Sequence, residues 1–538
     1  MVTGYRKNLK KTFVNYRGMK TEVNESNYII GIDIGTSSAK GCVFDLYGKI
    51  LAEAYVKYDI ITPNPGWREQ NAEWWWEATV KISRELNQKV KLTKKNLRAI
   101  AVTHQRLTFV PVDRRIQPIY NAILWNDVRC THEVAYARQD IGEKEIFMKT
   151  GVAPGYWSIY KILWIKNNLP DIYERTYKFL LIPDFIQFRL TGKIVTTQSA
   201  AILTGALDIR NPNRWCSDLV REIGISEDKL VDEILPSGIA IGEITEEASK
   251  ETSLPSGTPV ITAAGDQPCG SLGAGLTKVS QVAVNGGTSC TSEIISEDLP
   301  RLDNPRNYYL EISPTGKYML ETTIPSGGSE LMKWFRENFG SKLVEEAVDK
   351  HEDIWAYIYS QAKNSPPGSM GMILLPYFNS TGPPYWDLNT GGAIIGLTTD
   401  TTYCHFIRAI MEGLAYEVKR HIKMLEEGAD IRAHEILMYG GSSRSDVWNQ
   451  IFADVTGIRL LTPETPETTS LGAAICAAVG GDLYESFEAA IQNMVRIRKV
   501  YSPNQHANKL YEELFERCYL PIYERLRDII LEAIRLTR

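Results

Sequence analysis

The chain has 538 residues, 43% of them hydrophobic and 23% charged, with 60 basic side chains against 65 acidic ones for a net charge of −5. That length is several times the roughly 150 residues of one domain, and the composition is globular, which excludes a small single module and a disordered chain. The charge balance provides no general attraction to nucleic acid or an anionic membrane, and eight scattered cysteines without a Cys-x-x-Cys pair exclude a zinc ribbon and a redox dithiol, leaving reduced thiols.

Residues 1–27 carry six basic and two acidic side chains and lack the apolar stretch of a secretory signal. They read as a basic tail. No apolar run reaches the ~18 residues of a spanning helix, so no membrane partner is expected and the default compartment is the cytoplasm. From Tyr28 the pattern changes to an apolar run ending in Asp33, Ile34, Gly35, Thr36 and Ser37, followed by a second apolar run from Gly41. This predicts a hairpin whose turn gathers backbone N–H groups and hydroxyls, the chemistry that cradles phosphate. Asp33, at the end of the first strand, could hold Mg²⁺ through water, since that ion prefers oxygen ligands and keeps several waters; the alternative is a turn carboxylate bonded to backbone.

Further along, helices are predicted at 72–86 and 156–168, and strands at 97–103 and 259–264. The second of these strands runs into Gly265, Asp266, Gln267 and then a small-residue helix. A carboxylate at a strand end is placed for a cleft, where Asp266 could accept the proton of a hydroxyl attacking phosphorus. Its alternative is the N-cap of the helix that follows. Residues 282–291, with Gly287, Thr288 and Ser289, align without gaps on 30–39, Asn285 falling under Asp33 at an offset of 252 residues. Half a chain of offset points to two related α/β domains facing a shared cleft; two unrelated Gly-Thr-Ser hairpins are the alternative. In the second half, helices are predicted at 402–425, 445–456 and 470–479, a strand at 434–439, and a closing pair of amphipathic helices from His506. Gly440 and Gly441 end that strand. Lacking β-carbons, they would let a flat nucleoside lie against the backbone with Ser445 near its base; strand–turn–helix packing would equally use them. Neither a P-loop nor a Gly-x-Gly-x-x-Gly fingerprint occurs.

Gly392, Gly396 and Leu397, then seven residues later His405, Ala409 and Glu412, follow the C-terminal signature of the FGGY carbohydrate kinases, which the chain resembles over about 28–500. The hairpin motifs, Gly265-Asp266, the 440–457 segment and 469–474 fall in that family's order. The resemblance implies a duplicated ribonuclease-H-like α/β fold of the actin and sugar-kinase superfamily, with domains at 28–273 and 274–538 and ATP with Mg²⁺ in the cleft between them. It further implies that Thr36 and Ser37 meet phosphates, Gly287 and Thr288 the γ-phosphate, Gly440, Gly441 and Ser445 the adenosine, and that Asp266 is the base. The polyol pocket would draw on Gln105, Arg106, Trp125, Asp127, Asp266 and Gln267, whose amides, guanidinium and carboxylates match vicinal hydroxyls. A surface salt bridge is the alternative for Arg106, and core packing for Trp125.

Gly66 to Gln70, 74–76, 123–129 and 189–192 look xylulokinase-like and favour a pentulose such as D-xylulose. Gln105-Arg106 and Gly265-Asp266-Gln267 are closer to glycerol kinase, although Leu107 cannot accept a hydrogen bond as the glutamate usual there would. The implied activity is phosphorylation of a small sugar or polyol, and a homodimer is the assembly considered. A silent sugar or nucleotide sensor and an actin-like filament protein are the rival readings.

Overall fold

A computed structural model describes residues 27–287, 289–325, 327–387 and 389–537. The basic tail, apart from Asn27, lies outside these residues, as does Thr288.

The predicted hairpin is β1 (Tyr28–Ile34) against β2 (Ser38–Phe44), extended by β3 (Ile50–Lys57). β1 is almost wholly apolar because it lies inside the sheet, antiparallel to β2 on one side and parallel to β4 (Leu97–His104) on the other. β5 (Ala240–Glu243) and β6 (Pro259–Thr262) complete six strands in the order β5-β6-β4-β1-β2-β3.

The second sheet repeats this arrangement. β7 (Gln281–Gly286), β8 (Cys290–Ser296), β9 (Tyr309–Ile312), β10 (Tyr318–Ile324), β11 (Glu435–Tyr439), β12 (Arg459–Pro463) and β13 (Ile497–Tyr501) run in the order β9-β10-β8-β7-β11-β12-β13. Apart from the added edge strand β9, every neighbour matches: β7 is antiparallel to β8 and parallel to β11, as β1 is to β2 and β4. The repeat read from the 252-residue offset is therefore a duplication of topology. The alignment slips in one place, because Asp33 faces Lys40 across its hairpin whereas Asn285 faces Thr291. The second turn is one residue shorter, so positions beyond it do not correspond at a constant offset.

The helices are α1 (Glu73–Val90), α2 (Ser158–Asn168), α3 (Asp266–Ala274), α4 (Tyr403–Ala429), α5 (Asp446–Thr456) and α6 (Thr468–Gly480). The closing pair is α7 (Gln505–Leu514) and α8 (Leu520–Thr537), joined by a π-helical turn. It packs on α4 through buried tyrosines, Tyr511 donating to Glu412 at 2.6 Å and Tyr519 to Glu417 at 2.7 Å.

α3 follows β6 in the first lobe, and α6 follows β12 at the equivalent place in the second. The two helices meet backbone to backbone: a β-carbon on Gly273 would stand 1.9 Å from the Thr468 carbonyl oxygen, and one on Gly472 1.8 Å from that of Cys269. Only glycine permits this approach, which brings the N-terminus of α3, and with it Asp266, to the junction of the lobes. Gly472→Ala is expected to force the helices apart, costing about 1–3 kcal/mol as overpacking does. The check is a lowered denaturant midpoint.

Candidate active site

A cavity of about 720 Å³ opens between the lobes. Thr36, Gln105, Arg106, Trp125, Asp266 and Gln267 line it from the first lobe, and Ser289, Thr291, Tyr309 and Glu321 from the second. Six of the sequence-predicted residues are thus brought to one place.

Asp266 is the first residue of α3, preceded by Gly265 as N-cap, so the carboxylate is not the cap itself. Its Oδ1 accepts a hydrogen bond from the Gln267 amide at 2.9 Å and lies 3.3 Å from Arg106 Nε. Burial holds this carboxyl above its usual range, while Arg106 and the Gln267 amide pull it back. The side chain stays 30% exposed to the cavity. Gln267 is fixed from the other lobe: Asn285 Nδ2 at 2.9 Å and Thr291 Oγ1 at 3.1 Å both donate to its carbonyl oxygen.

Asp33 stands near the end of β1, outside the residues that line the cavity, with Oδ1 buried and without a hydrogen-bond partner among the described residues. Burial pushes its carboxyl up to about 8, the charges of Asp266 and Glu467 adding and Lys40 opposing. An orphaned carboxylate oxygen beside further acids is what a divalent cation would satisfy. No group of three or more His, Cys, Asp or Glu side chains able to hold a metal exists among the described residues, and Mg²⁺, which takes one or two carboxylates plus water and phosphate, does not need one. The residues therefore fit Mg²⁺, and the backbone-bonded alternative for Asp33 Oδ1 is not observed.

Trp125 is 44% exposed, so it is not core; its Nε1 donates to Thr36 Oγ1 at 3.0 Å. Gln105 is held through Nε2 by Gln70 at 3.3 Å, while its Oε1 is buried and unpartnered among the described residues, leaving an acceptor for a hydroxyl. Leu107 also lines the cavity, with φ at 70°. Ser37 is exposed at the hairpin tip and Gly287 stands in the matching turn. Gly440 has φ 82°, and a β-carbon there would come 2.5 Å from Asn285 Oδ1; one on Gly441 would meet nothing nearer than 3.8 Å, so a flat group has room against that backbone. Ser445 is buried, and its hydroxyl caps α5 by accepting from the Trp448 amide at 3.3 Å, which is the strand–turn–helix role.

Two sequence expectations need correction. Asp127 does not line the cavity. It is fully buried, bound by Arg129 Nε at 2.9 Å and Nη2 at 2.8 Å and by the Arg68 amide at 2.6 Å, because an arginine two residues on folds back over it. Arg106 lines the cavity but its forked donors are taken: Nη1 and Nη2 bind Glu321 at 2.6 and 2.9 Å, and Nη1 also binds Glu311. Only Nε faces Asp266. It therefore has no free fork to offer a sugar, and its salt bridges lie in the interior rather than at the surface.

The second-lobe partners were not anticipated. Glu293, Glu311 and Glu321 are fully buried on β8, β9 and β10, Glu293 directly opposite Glu321, with Tyr309 donating to Glu321 at 2.5 Å. The readable signal is a lone Glu in the middle of three apolar strand runs, since buried carboxylates require partners. One guanidinium cannot neutralise three acids. Burial, with Glu321 beside it, holds Glu293 well above the usual carboxylate range, and burial raises Glu311 to about 8 against the pull of Arg106.

A folded value near 8 against an ordinary 4.5 means that the native state keeps the Glu311 proton where the unfolded chain has lost it. This contribution to stability is complete below about pH 4.5 and is lost as pH rises through 8. Glu311→Gln, which keeps a neutral side chain, should flatten the fall in denaturation midpoint between pH 5 and 8 relative to wild type.

Comparison with known proteins agrees with this geometry. The model described as FGGY family of carbohydrate kinases, N-terminal domain, matches residues 28–273, and that for the C-terminal domain matches 282–481. A xylulose kinase of Bacillus subtilis is 29% identical over 505 residues, 93% of this chain and 98% of that protein. An autoinducer-2 kinase of Salmonella choleraesuis is 28% identical, covering 95% and 96%. Among solved structures, a gluconate kinase from Lactobacillus acidophilus superposes with a TM-score of 0.84 at 27% identity, covering 93% of this chain and 98% of that one. With both family halves matched in order on a duplicated fold around one cleft, the chain belongs to the FGGY family of carbohydrate kinases.

Proposed function

We propose that the protein transfers the γ-phosphoryl group of ATP to a hydroxyl of a small sugar, a pentulose such as D-xylulose, with Asp266 as general base. The observation that carries this reading is Asp266 at the N-terminus of α3, exposed to the interlobe cavity beside Arg106 and raised toward the proton-accepting range. The first lobe, 28–273, presents the acceptor and the second, 274–538, the nucleotide.

In this reading the sugar hydroxyl donates its hydrogen bond to Asp266 while Gln105 Oε1 and the Gln267 amide hold its neighbours. As the hydroxyl oxygen forms its bond to the γ-phosphorus, the bond from phosphorus to the bridging oxygen breaks, ADP leaves, and the proton passes to Asp266. Thr36, Ser37, Gly287 and Thr288 would meet the phosphates through hydroxyls and backbone amides. The nucleoside would lie against Gly440 and Gly441, with Ser445 fixing the turn behind them. Asp33 would hold Mg²⁺ through water, and the ion when bound neutralises phosphate charge. Closure of the lobes over both substrates would expel water, so that the sugar hydroxyl rather than solvent attacks.

Leu107, apolar at the cavity wall, offers no acceptor where a glycerol-type pocket would want one, which favours the ketose. No helix of the described residues is long and apolar enough to cross a membrane.

The test is ADP release across ketopentoses, polyols, aldonates and glycerol. Turnover stimulated by a pentulose supports the proposal. Binding of ATP without stimulation by any acceptor would overturn it.

A further inference from the structure

The cavity is larger than the proposed reaction uses. A pentulose has ten non-hydrogen atoms, and a phosphoryl group adds four. Granting each a full water's share of liquid volume, ~30 Å³, they fill about 420 Å³. Roughly 300 Å³ of the 720 Å³ remains, shared between the other phosphates and their ion at the Thr36 end and a part of the cavity on the far side of Asp266.

The surplus has a direction and a chemistry. From Asp266 the wall passes through Arg106 and Glu321 to Tyr309, whose ring packs at 5.8 Å on Trp157. Trp157 donates to the Ala153 carbonyl, and the next carbonyl, of Pro154, accepts from Arg138 at 2.9 Å. Beyond lies Glu143, 3.9 Å from Arg138 and 3.5 Å from Arg306 of the other lobe, whose carbonyl is bound by Trp386 Nε1 at 2.8 Å. This far part is walled by Val134, Ala135, Pro154, Tyr156, Pro305 and Trp386. The lobes already touch elsewhere, the Leu310 amide donating to the Gly151 carbonyl at 2.8 Å. Thr131, Arg138, Gln139 and Glu143 also line this far part, but its broad aromatic and aliphatic faces, those of Tyr156 and Trp386 above all, suit a ring or apolar group better than a further row of hydroxyls.

Resting on the kinase reading of this site, we infer that the physiological acceptor is an elongated sugar or polyol, carrying a ring or apolar substituent beyond its polyhydroxylated end, which this aromatic chamber receives. The near end, with Asp266, Gln105 and Gln267, presents the reacting hydroxyl. The far end gains affinity by displacing water from apolar walls.

The experiment compares kcat/KM for D-xylulose with that for its 1-O-benzyl and 5-O-benzyl ethers, each of which keeps one primary hydroxyl free. One ether should exceed D-xylulose by about tenfold or more, since each methylene in an apolar pocket is worth ~10-fold or more in discrimination. In Trp386→Ala and Tyr156→Ala, made separately so that a folding defect in one does not decide the matter, the ratio of ether to free sugar should fall about tenfold. Free D-xylulose turned over better than both ethers, or ratios unmoved in two folded variants, would overturn the inference while leaving the kinase reading intact. No ADP from any of the three compounds, with ATP bound, would instead remove the pentulose-kinase reading beneath it.

Discussion

Asp266→Asn is expected to lower kcat by about 10²–10⁴, the range lost when a positioned proton acceptor is removed, while ATP and sugar still bind. The amide keeps the size of the carboxylate and can still accept from the Gln267 amide, so α3 should start unchanged. It cannot take a proton from the attacking hydroxyl. If Asp266 is the proton acceptor, the wild-type rate should fall on the acid side as this carboxyl, held above its usual value by burial, is protonated, and the variant's residual rate should lack that fall. Calorimetry for binding and single-turnover kinetics for chemistry separate the two effects. A variant that keeps wild-type turnover would make the protein something other than an enzyme acting through this carboxylate.

The second large effect is expected at Glu321. Its bidentate pair with Arg106 joins the two lobes in the interior, Glu321 being fully buried. Removing one member of a buried pair strands the other and costs about 3–5 kcal/mol. Glu321→Leu should therefore lower the denaturant midpoint sharply and reduce kcat, because Arg106 loses the support that keeps Nε on Asp266. Arg106→Leu combined with Glu321→Leu removes both members of the bidentate pair and should recover part of the stability, since apolar replacement of a whole buried pair is often neutral, while Glu311 loses its bond to Nη1. It should not recover activity, as Asp266 then has no cation beside it. Stability and activity returning together in the double variant would show the pair to be structural only.

Much of this arrangement could be read in the amino-acid string because local chemistry announces it. Two Gly-Thr-Ser turns after apolar strands gave the duplication, and the matching neighbours of β1 and β7 bear it out. Asp266 stood out as an acid between a strand and a helix of small residues. What was illegible depended on long-range partners. Asp127 looked like a sugar ligand, but Arg129, two residues on, closes over it and is itself held by Glu69, sixty residues before that arginine. Arg106 looked free because its acceptors lie more than 200 residues on. The aromatic chamber has the same origin: Trp157 and Tyr309 come from different lobes, and nothing in either local pattern says that they meet.

The most direct test of the central claim is a crystal structure with a non-hydrolysable ATP analogue, Mg²⁺ and D-xylulose bound together. A primary hydroxyl of the sugar should lie within about 2.6–3.2 Å of the Asp266 carboxylate, facing a terminal phosphate held at the Thr36 and Gly287 turns. A sugar bound with its hydroxyls turned from Asp266, or a nucleotide seated outside the gap between the two sheets, would contradict it.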